Sequence, residues 1–145
     1  MKELIHFLKE HHVMCLATQG KHGPHAAPVF YALGENPLAF IFLSDPQTEH
    51  MQEIEKDSRV SVGIYLETKE IGLVQGAQLW GKAKILEDAH SFAPVYFKTF
   101  PHARLYASIH PSYRFCLVQV KKARLIDNRF GIGKKKEWNL EDSNT

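Results

Sequence analysis

The residues best equipped for chemistry lie close together in one stretch, Ser44-Asp45-Pro46-Gln47-Thr48-Glu49-His50. An apolar run, Leu38 to Leu43, stops at Ser44, and a helical pattern with Met51 and Ile54 on one side begins just after Pro46. Hydroxyls, an imidazole and the first N–H groups of a helix are thus gathered at one strand-to-helix turn. Those N–H groups have no acceptor within the helix and carry partial positive charge, so the turn favours an anion such as a phosphate. Serine, aspartate and threonine also cap helices, which is their commoner use. Both roles remain open on these residues alone.

Nine histidines raise the question of a metal. His11, His12, His22, His25, His50, His90, His102 and His110 fall on loops and helix ends, without an i,i+4 histidine pair or an adjacent acid cluster. That distribution predicts solvated side chains and no metal site. His22 and His25 share a turn where two nitrogens could reach one ion, but no third ligand is evident. Other chemical motifs are absent. Gly131-Ile132-Gly133 lacks the third glycine of a dinucleotide fingerprint, and Gly133-Lys134-Lys135 is no phosphate loop. Neither a G-x-S-x-G nucleophile elbow nor an H-E-x-x-H zinc motif occurs.

Composition bounds the rest. With 44% hydrophobic and 23% charged residues, the 145-residue chain reads as one globular domain over 1–145. A net charge of +2 without a basic stripe predicts no nucleic-acid partner. Glu3, His6, Lys9 and Glu10 interrupt any apolar leader, and no apolar run approaches membrane length, so no membrane and a cytoplasmic location are expected. Cys15 and Cys116 sit in strand-like segments and read as buried, unpaired thiols.

The elements that must position the turn follow from periodicity. Lys2 to His12 reads as an amphipathic helix with Leu4, Ile5 and Leu8 on its apolar face and Phe7 at its edge, packed as a lid. Strands are expected at Val13–Thr18, at Ala26–Leu33 with Pro28 marking an edge or bulge, and at Leu38–Leu43. After the helix Gln47–Lys56, alternation predicts a strand from Arg59 to Leu66. Ile71–Glu87 reads as a long strand or strand pair, in which Gly76 and Gly81 suggest bulges and coiling. Helical pieces at Ala89–Phe100, where Pro94 leaves open a start near Ala93, and at His102–Ser108 precede a last long strand, Tyr113–Ile126. The class is mainly β with a few helices: a six-stranded antiparallel barrel with short flanking helices.

The order of these elements, together with FLSDPQTEHMQEIEKDSRVSV and LVQGAQLWGKAKILED, resembles the FMN-binding split barrel of the pyridoxamine 5′-phosphate oxidase superfamily. The ending NRFGIGKKKEW is similar to an uncharacterised bacterial branch of it. What this resemblance implies can be placed residue by residue. Pro28, Val29 and Phe30 would run beside the isoalloxazine ring, and Leu43 and Ser44 would lie at the ring or ribityl chain. Thr48 matches the hydroxyl that holds the phosphate, and His50 stands where the oxidase has a lysine. Gln75 or Gln78 resembles the glutamine that reaches the flavin, and Lys134 or Lys135 would supply positive charge if the C-terminal segment folds over the site. The oxidase's substrate-binding arginine and histidine pattern is not visible, so pyridoxamine phosphate oxidation is not implied. The resemblance implies a homodimer with FMN at the seam and a small-molecule substrate or electron donor. The aromatic segment Phe92–Phe100 would add apolar surface for that seam. A haem-binding or haem-degrading split barrel, and a flavin carrier or sensor without turnover, are the alternatives.

Overall fold

The computed structural model describes residues 1–141. Its elements are α1 (Lys2–Lys9), β1 (Val13–Gly20), β2 (Gly23–Phe30), β3 (Ala32–Glu35), β4 (Leu38–Ser44), α2 (Glu49–Lys56), β5 (Arg59–Tyr65), β6 (Gln75–Ile85), α3 (Ala93–Thr99), α4 (Ala103–Ile109), β7 (Arg114–Asp127) and β8 (Lys135–Asn139). Every pairing is antiparallel, in the order β2-β1-β5-β6-β7-β4-β3, with β8 also on β7. The long β7 is the spine. Its first half pairs with β4, from Arg114↔Ser44 to Gln119↔Ala39, and its second half pairs with β8, from Lys122↔Asn139 to Ile126↔Lys135. Along its other edge runs β6, whose register shifts between Trp80 and Gly81. A Cβ on Gly81 would overlap the Gln119 carbonyl oxygen, so only glycine fits this bulge where the sheet turns.

Two apolar clusters explain why β4 reads as a continuous apolar run rather than an alternating one. Leu38, Phe40 and Phe42 face the barrel interior with Met14, Leu16, Val62 and Val118, while Ile41 packs on the other side with Ala32, Tyr96 and Phe115, beneath α3. A strand covered on both faces has no polar side to alternate with. Helix α1 buries Leu4, Phe7 and Leu8 in the interior cluster, and its Leu8 carbonyl accepts a 2.6 Å hydrogen bond from the Tyr31 hydroxyl.

The class expected from the sequence is the one observed, with eight strands among the described residues. Two more arise because the stretch expected as Ala26–Leu33 divides at Tyr31 into β2 and β3, and because β8 follows the strand taken as last. Pro28 does lie on an edge strand. Phe7, not Ile5, belongs to the buried face of α1, which ends at Lys9. Ile71–Leu73 is a 3₁₀ turn, so the single strand begins at Gln75. The Phe92–Phe100 segment mostly packs on its own second cluster, with Tyr96 buried; exposed apolar surface lies instead at Leu105, Tyr106 and Ile109 of α4.

Cys15 is exposed, contrary to expectation, whereas Cys116 is fully buried. The cause is alternation: Met14, Leu16 and Thr18 take the interior side of β1 and leave Cys15 outside. Burial pushes the Cys116 thiol up to about 12, which leaves almost no thiolate to react near neutrality. A folded Cys15→Ser protein is therefore expected to show no thiol reactive toward a colorimetric disulfide reagent, and the urea-unfolded, unreduced protein one. Fast reaction in the folded variant would contradict the placement of Cys116.

Candidate functional site

Strand β4 delivers Ser44, 9% exposed, to the rim of the barrel, where it pairs with Arg114. Asp45 then closes the turn: its carboxylate accepts from the Gln47 N–H at 2.9 Å and its carbonyl from the Thr48 N–H at 3.1 Å. Thr48 has the extended backbone of an N-cap residue, yet its hydroxyl turns back and donates to the Asp45 carbonyl at 2.8 Å. No side-chain oxygen caps α2. The ordinary capping role is therefore not the one this threonine performs, and the helix start keeps the anion-favouring character of uncapped N–H groups. Burial of Met51 and Ile54 fixes the helix against the barrel.

His50, on the first turn of α2, completes the corner. Its Nε2 lies 2.9 Å from Ser44 Oγ and 3.3 Å from Thr48 Oγ1. Burial is the main cause that holds the imidazole below its usual range; the charge of nearby His25 adds to this and Glu53 opposes it. The corner thus offers two hydroxyls, an imidazole and a helix start.

Beside it, β2 and α2 form a second cluster. His25 Nδ1 lies 2.6 Å from Glu53 Oε1, which also accepts 2.9 Å from the buried Thr18 hydroxyl. The hydrogen bond to Glu53 raises the His25 imidazole above its ordinary range, and the same bond lowers the Glu53 carboxyl. His25 Nε2 faces Glu49 Oε2 at 4.0 Å. The sequence reading that no acids accompany the histidines is thereby corrected. The acids come from a helix far along the chain, and only the packing of α2 beside the β1–β2 hairpin brings them to His25. His6 likewise meets Glu10, at 2.8 Å, one turn along α1.

The other residues named from sequence fall into three places. Phe30 and Leu43 come together, lining a cavity of about 270 Å³ with Tyr96, Phe100, His102 and Tyr106; Leu43 precedes Ser44 in β4, and strand alternation sets the two side chains on opposite faces. Next to Phe30, Val29 packs against the interior cluster and Pro28 faces outward beside Cys15. On the outer sheet face, Gln78 accepts 3.1 Å from Arg124, and the pairings Pro28↔Cys15, Cys15↔Gly63 and Gly63↔Gln78 set it three strand spacings from Pro28, ~14 Å. Gln75 lines a different cavity, under α1. Lys134 and Lys135 adjoin the far end of β7, since Lys135 pairs with Ile126 while Ser44 pairs with Arg114; twelve residues of strand span roughly 40 Å. Within one chain these lysines do not fold over the corner. Sequence reasoning missed the α3–α4 aromatics, whose helical spacing signals packing without saying against what.

An antiparallel barrel with a strand-turn-helix corner at its rim is the architecture of a split β-barrel protein. The sequence profile of the family described as pyridoxamine 5′-phosphate oxidase matches residues 1–127, and the chain belongs to that family. A UPF0306 protein of Yersinia pestis is 28% identical over 134 residues, covering 91% of this chain and 88% of the relative. The same fold occurs in a heme binding protein from Mycobacterium smegmatis, with a TM-score of 0.75, 21% identity, and coverage of 92% of this chain and 55% of that one. It also occurs in an FAD-binding protein from Mesorhizobium loti, with a TM-score of 0.68, 16% identity, and coverage of 86% and 90%. No helix among the described residues is long and apolar enough to cross a membrane.

Proposed function

We propose that this chain is an FMN-binding protein, a small flavin-dependent oxidoreductase of the cytoplasm that acts on a small-molecule substrate or electron donor. One observation carries this reading: an uncapped helix start with Ser44, Thr48 and His50 around it offers free N–H groups to a phosphate at the rim where β4 ends. The aromatic slot of Phe30 and Leu43, at the same end of β4, would take a planar apolar ring, so the two together suit a ligand with a ring at one end and a phosphate at the other. Ser44, Thr48 and the N–H groups of α2 would hold the phosphate, and Phe30 and Leu43 would flank the ring and exclude water from it. When bound, the flavin supplies hydride or electron transfer, and the protein contributes orientation and hydrogen bonds. A homodimer with the flavin at its seam belongs to the same proposal. Gln78 of the partner subunit would then reach the ring, because Gln78 of the same chain lies across the sheet from Pro28 and Phe30. Exposed Leu105, Tyr106 and Ile109 beside the slot, and Tyr65 and Trp80 on the outer sheet face, provide apolar surface for the contact. Sedimentation at micromolar concentration is expected to give twice the 16.6 kDa chain mass, and monomer alone would count against the seam.

Haem is the second reading, favoured by one observation: His102 lines the same aromatic slot with Tyr106 and Tyr113, where an imidazole could serve as an axial ligand. A flavin carrier or sensor without turnover would use the FMN site unchanged. Titration of the protein with FMN and, separately, with hemin decides between the cofactors. Quenching of flavin fluorescence at one equivalent per chain is expected; a saturable Soret shift with no flavin quenching would replace the first reading by the second.

A further inference from the structure

We infer that the cleft between the β1–β2 hairpin and α2 is a binding site for a divalent first-row cation, held by His25 and Glu49 with Glu53 orienting the histidine. The cleft has a volume of about 630 Å³ and is lined by His25, Glu49, Glu53 and the hairpin residues Gln19 to Pro24. One ligand atom from each of His25, Glu49 and Glu53 lies within 4.8 Å of the others. Three features set this group apart from an ordinary surface ion pair.

First, the two ring nitrogens of His25 have different tasks. Nδ1 is engaged by Glu53 at 2.6 Å, so it is the nitrogen that keeps its proton in the neutral ring; an arriving cation would displace the second proton and take the Nε2 lone pair. A carboxylate bonded to one ring nitrogen while the other faces the ion is the usual second-sphere arrangement of metal-binding histidines. Second, Nε2 and Glu49 Oε2 stand 4.0 Å apart. That is too long for a hydrogen bond, yet two atoms bound to one ion at about 2.1 Å each sit at most ~4.2 Å apart. Glu49, with its side chain 83% exposed, needs only a side-chain rotation to tighten the span. Third, Glu53 is held from behind. Thr18, 2% exposed, donates to its Oε1, while its Oε2 occupies the space a Cβ on Gly20 would need, 2.6 Å from that position. The orienting carboxylate is thus fixed before any ion arrives. Glu49 as ligand and Glu53 behind His25 offset the charge of a divalent cation beside Lys21 and Lys56 of the cleft wall, and an imidazole nitrogen with a carboxylate suits zinc, manganese or ferrous iron, with water completing the coordination.

This site stands independently of the flavin reading, because its test uses Zn²⁺ alone. Calorimetric titration of the full chain is expected to show one Zn²⁺ bound per chain. Glu49→Gln is expected to weaken that binding at least about 10-fold, the scale seen for loss of partners around bound metals, and His25→Gln to abolish it. Glu49 makes no hydrogen bond below 3.5 Å that folding would miss, so its variant reports on the metal even if His25→Gln fails to fold. His6→Gln, which removes the exposed His6–Glu10 pair, is expected to leave the titration unchanged. Binding that is insensitive to Glu49→Gln, or that disappears in His6→Gln, would overturn the assignment.

Discussion

Phe40→Ala is expected to lower the free energy of unfolding by about 3 to 5 kcal/mol, the range for deleting a buried phenylalanine. Phe40 is 0% exposed at the centre of β4. Its ring meets that of Tyr31 edge to face, 5.2 Å between centroids, and Tyr31 in turn anchors α1 through the Leu8 carbonyl. Truncation therefore opens a void beneath the strand that carries Ser44 and releases the packing behind the α1 anchor. Since small domains have about 5 to 15 kcal/mol of total stability, the midpoint of urea unfolding should fall steeply with little change in slope. A loss below about 1 kcal/mol would mean that β4 is not the doubly covered strand described here.

Thr48→Ala is expected to weaken FMN binding roughly 5- to 30-fold: a hydrogen bond to the charged phosphate contributes about 1.5 to 3 kcal/mol, and because the Thr48 hydroxyl must first leave the Asp45 carbonyl the net loss is about 1 to 2 kcal/mol. Riboflavin, which lacks the phosphate, should be unaffected. Stability should fall by about 0.5 to 1.5 kcal/mol, for the hydrogen bond the Thr48 hydroxyl donates to the Asp45 carbonyl, so the test rests on the separation of FMN from riboflavin. His50→Lys should act in the opposite direction on FMN, since it places a permanent charge beside Ser44 and Thr48, where the imidazole is held toward its neutral form. Fluorescence titrations of the three proteins with both ligands check these outcomes. A parallel weakening of FMN and riboflavin in Thr48→Ala would remove the phosphate role.

The strand-turn-helix corner was legible in the sequence because its signals are local. An apolar run ends at Ser44, Pro46 breaks the chain, and Met51 and Ile54 set the buried side of the helix. Likewise Gly81 marked its bulge and Pro28 its edge strand. What stayed hidden depends on partners distant in the chain. Three consecutive lysines, Lys134 to Lys136, carry no strand alternation, yet Lys135–Asn139 finds ladder partners on β7 and packs Trp138 against the interior cluster. On β1 the interior side holds Thr18 and the outside Cys15, against their polarities. Glu53, the partner that satisfies the buried threonine, arrives from α2. The acids around His25 were unreadable for the same reason, as was the meeting of Phe30 with α3 and α4 aromatics.

The most direct test of the central claim is the ratio of FMN to riboflavin affinity in the unaltered protein. Two or more hydrogen bonds to the phosphate, at about 1.5 to 3 kcal/mol each, predict FMN binding tighter by roughly 100-fold or more. Equal affinities for the two flavins would contradict the assignment of Ser44, Thr48 and the start of α2 as a phosphate site.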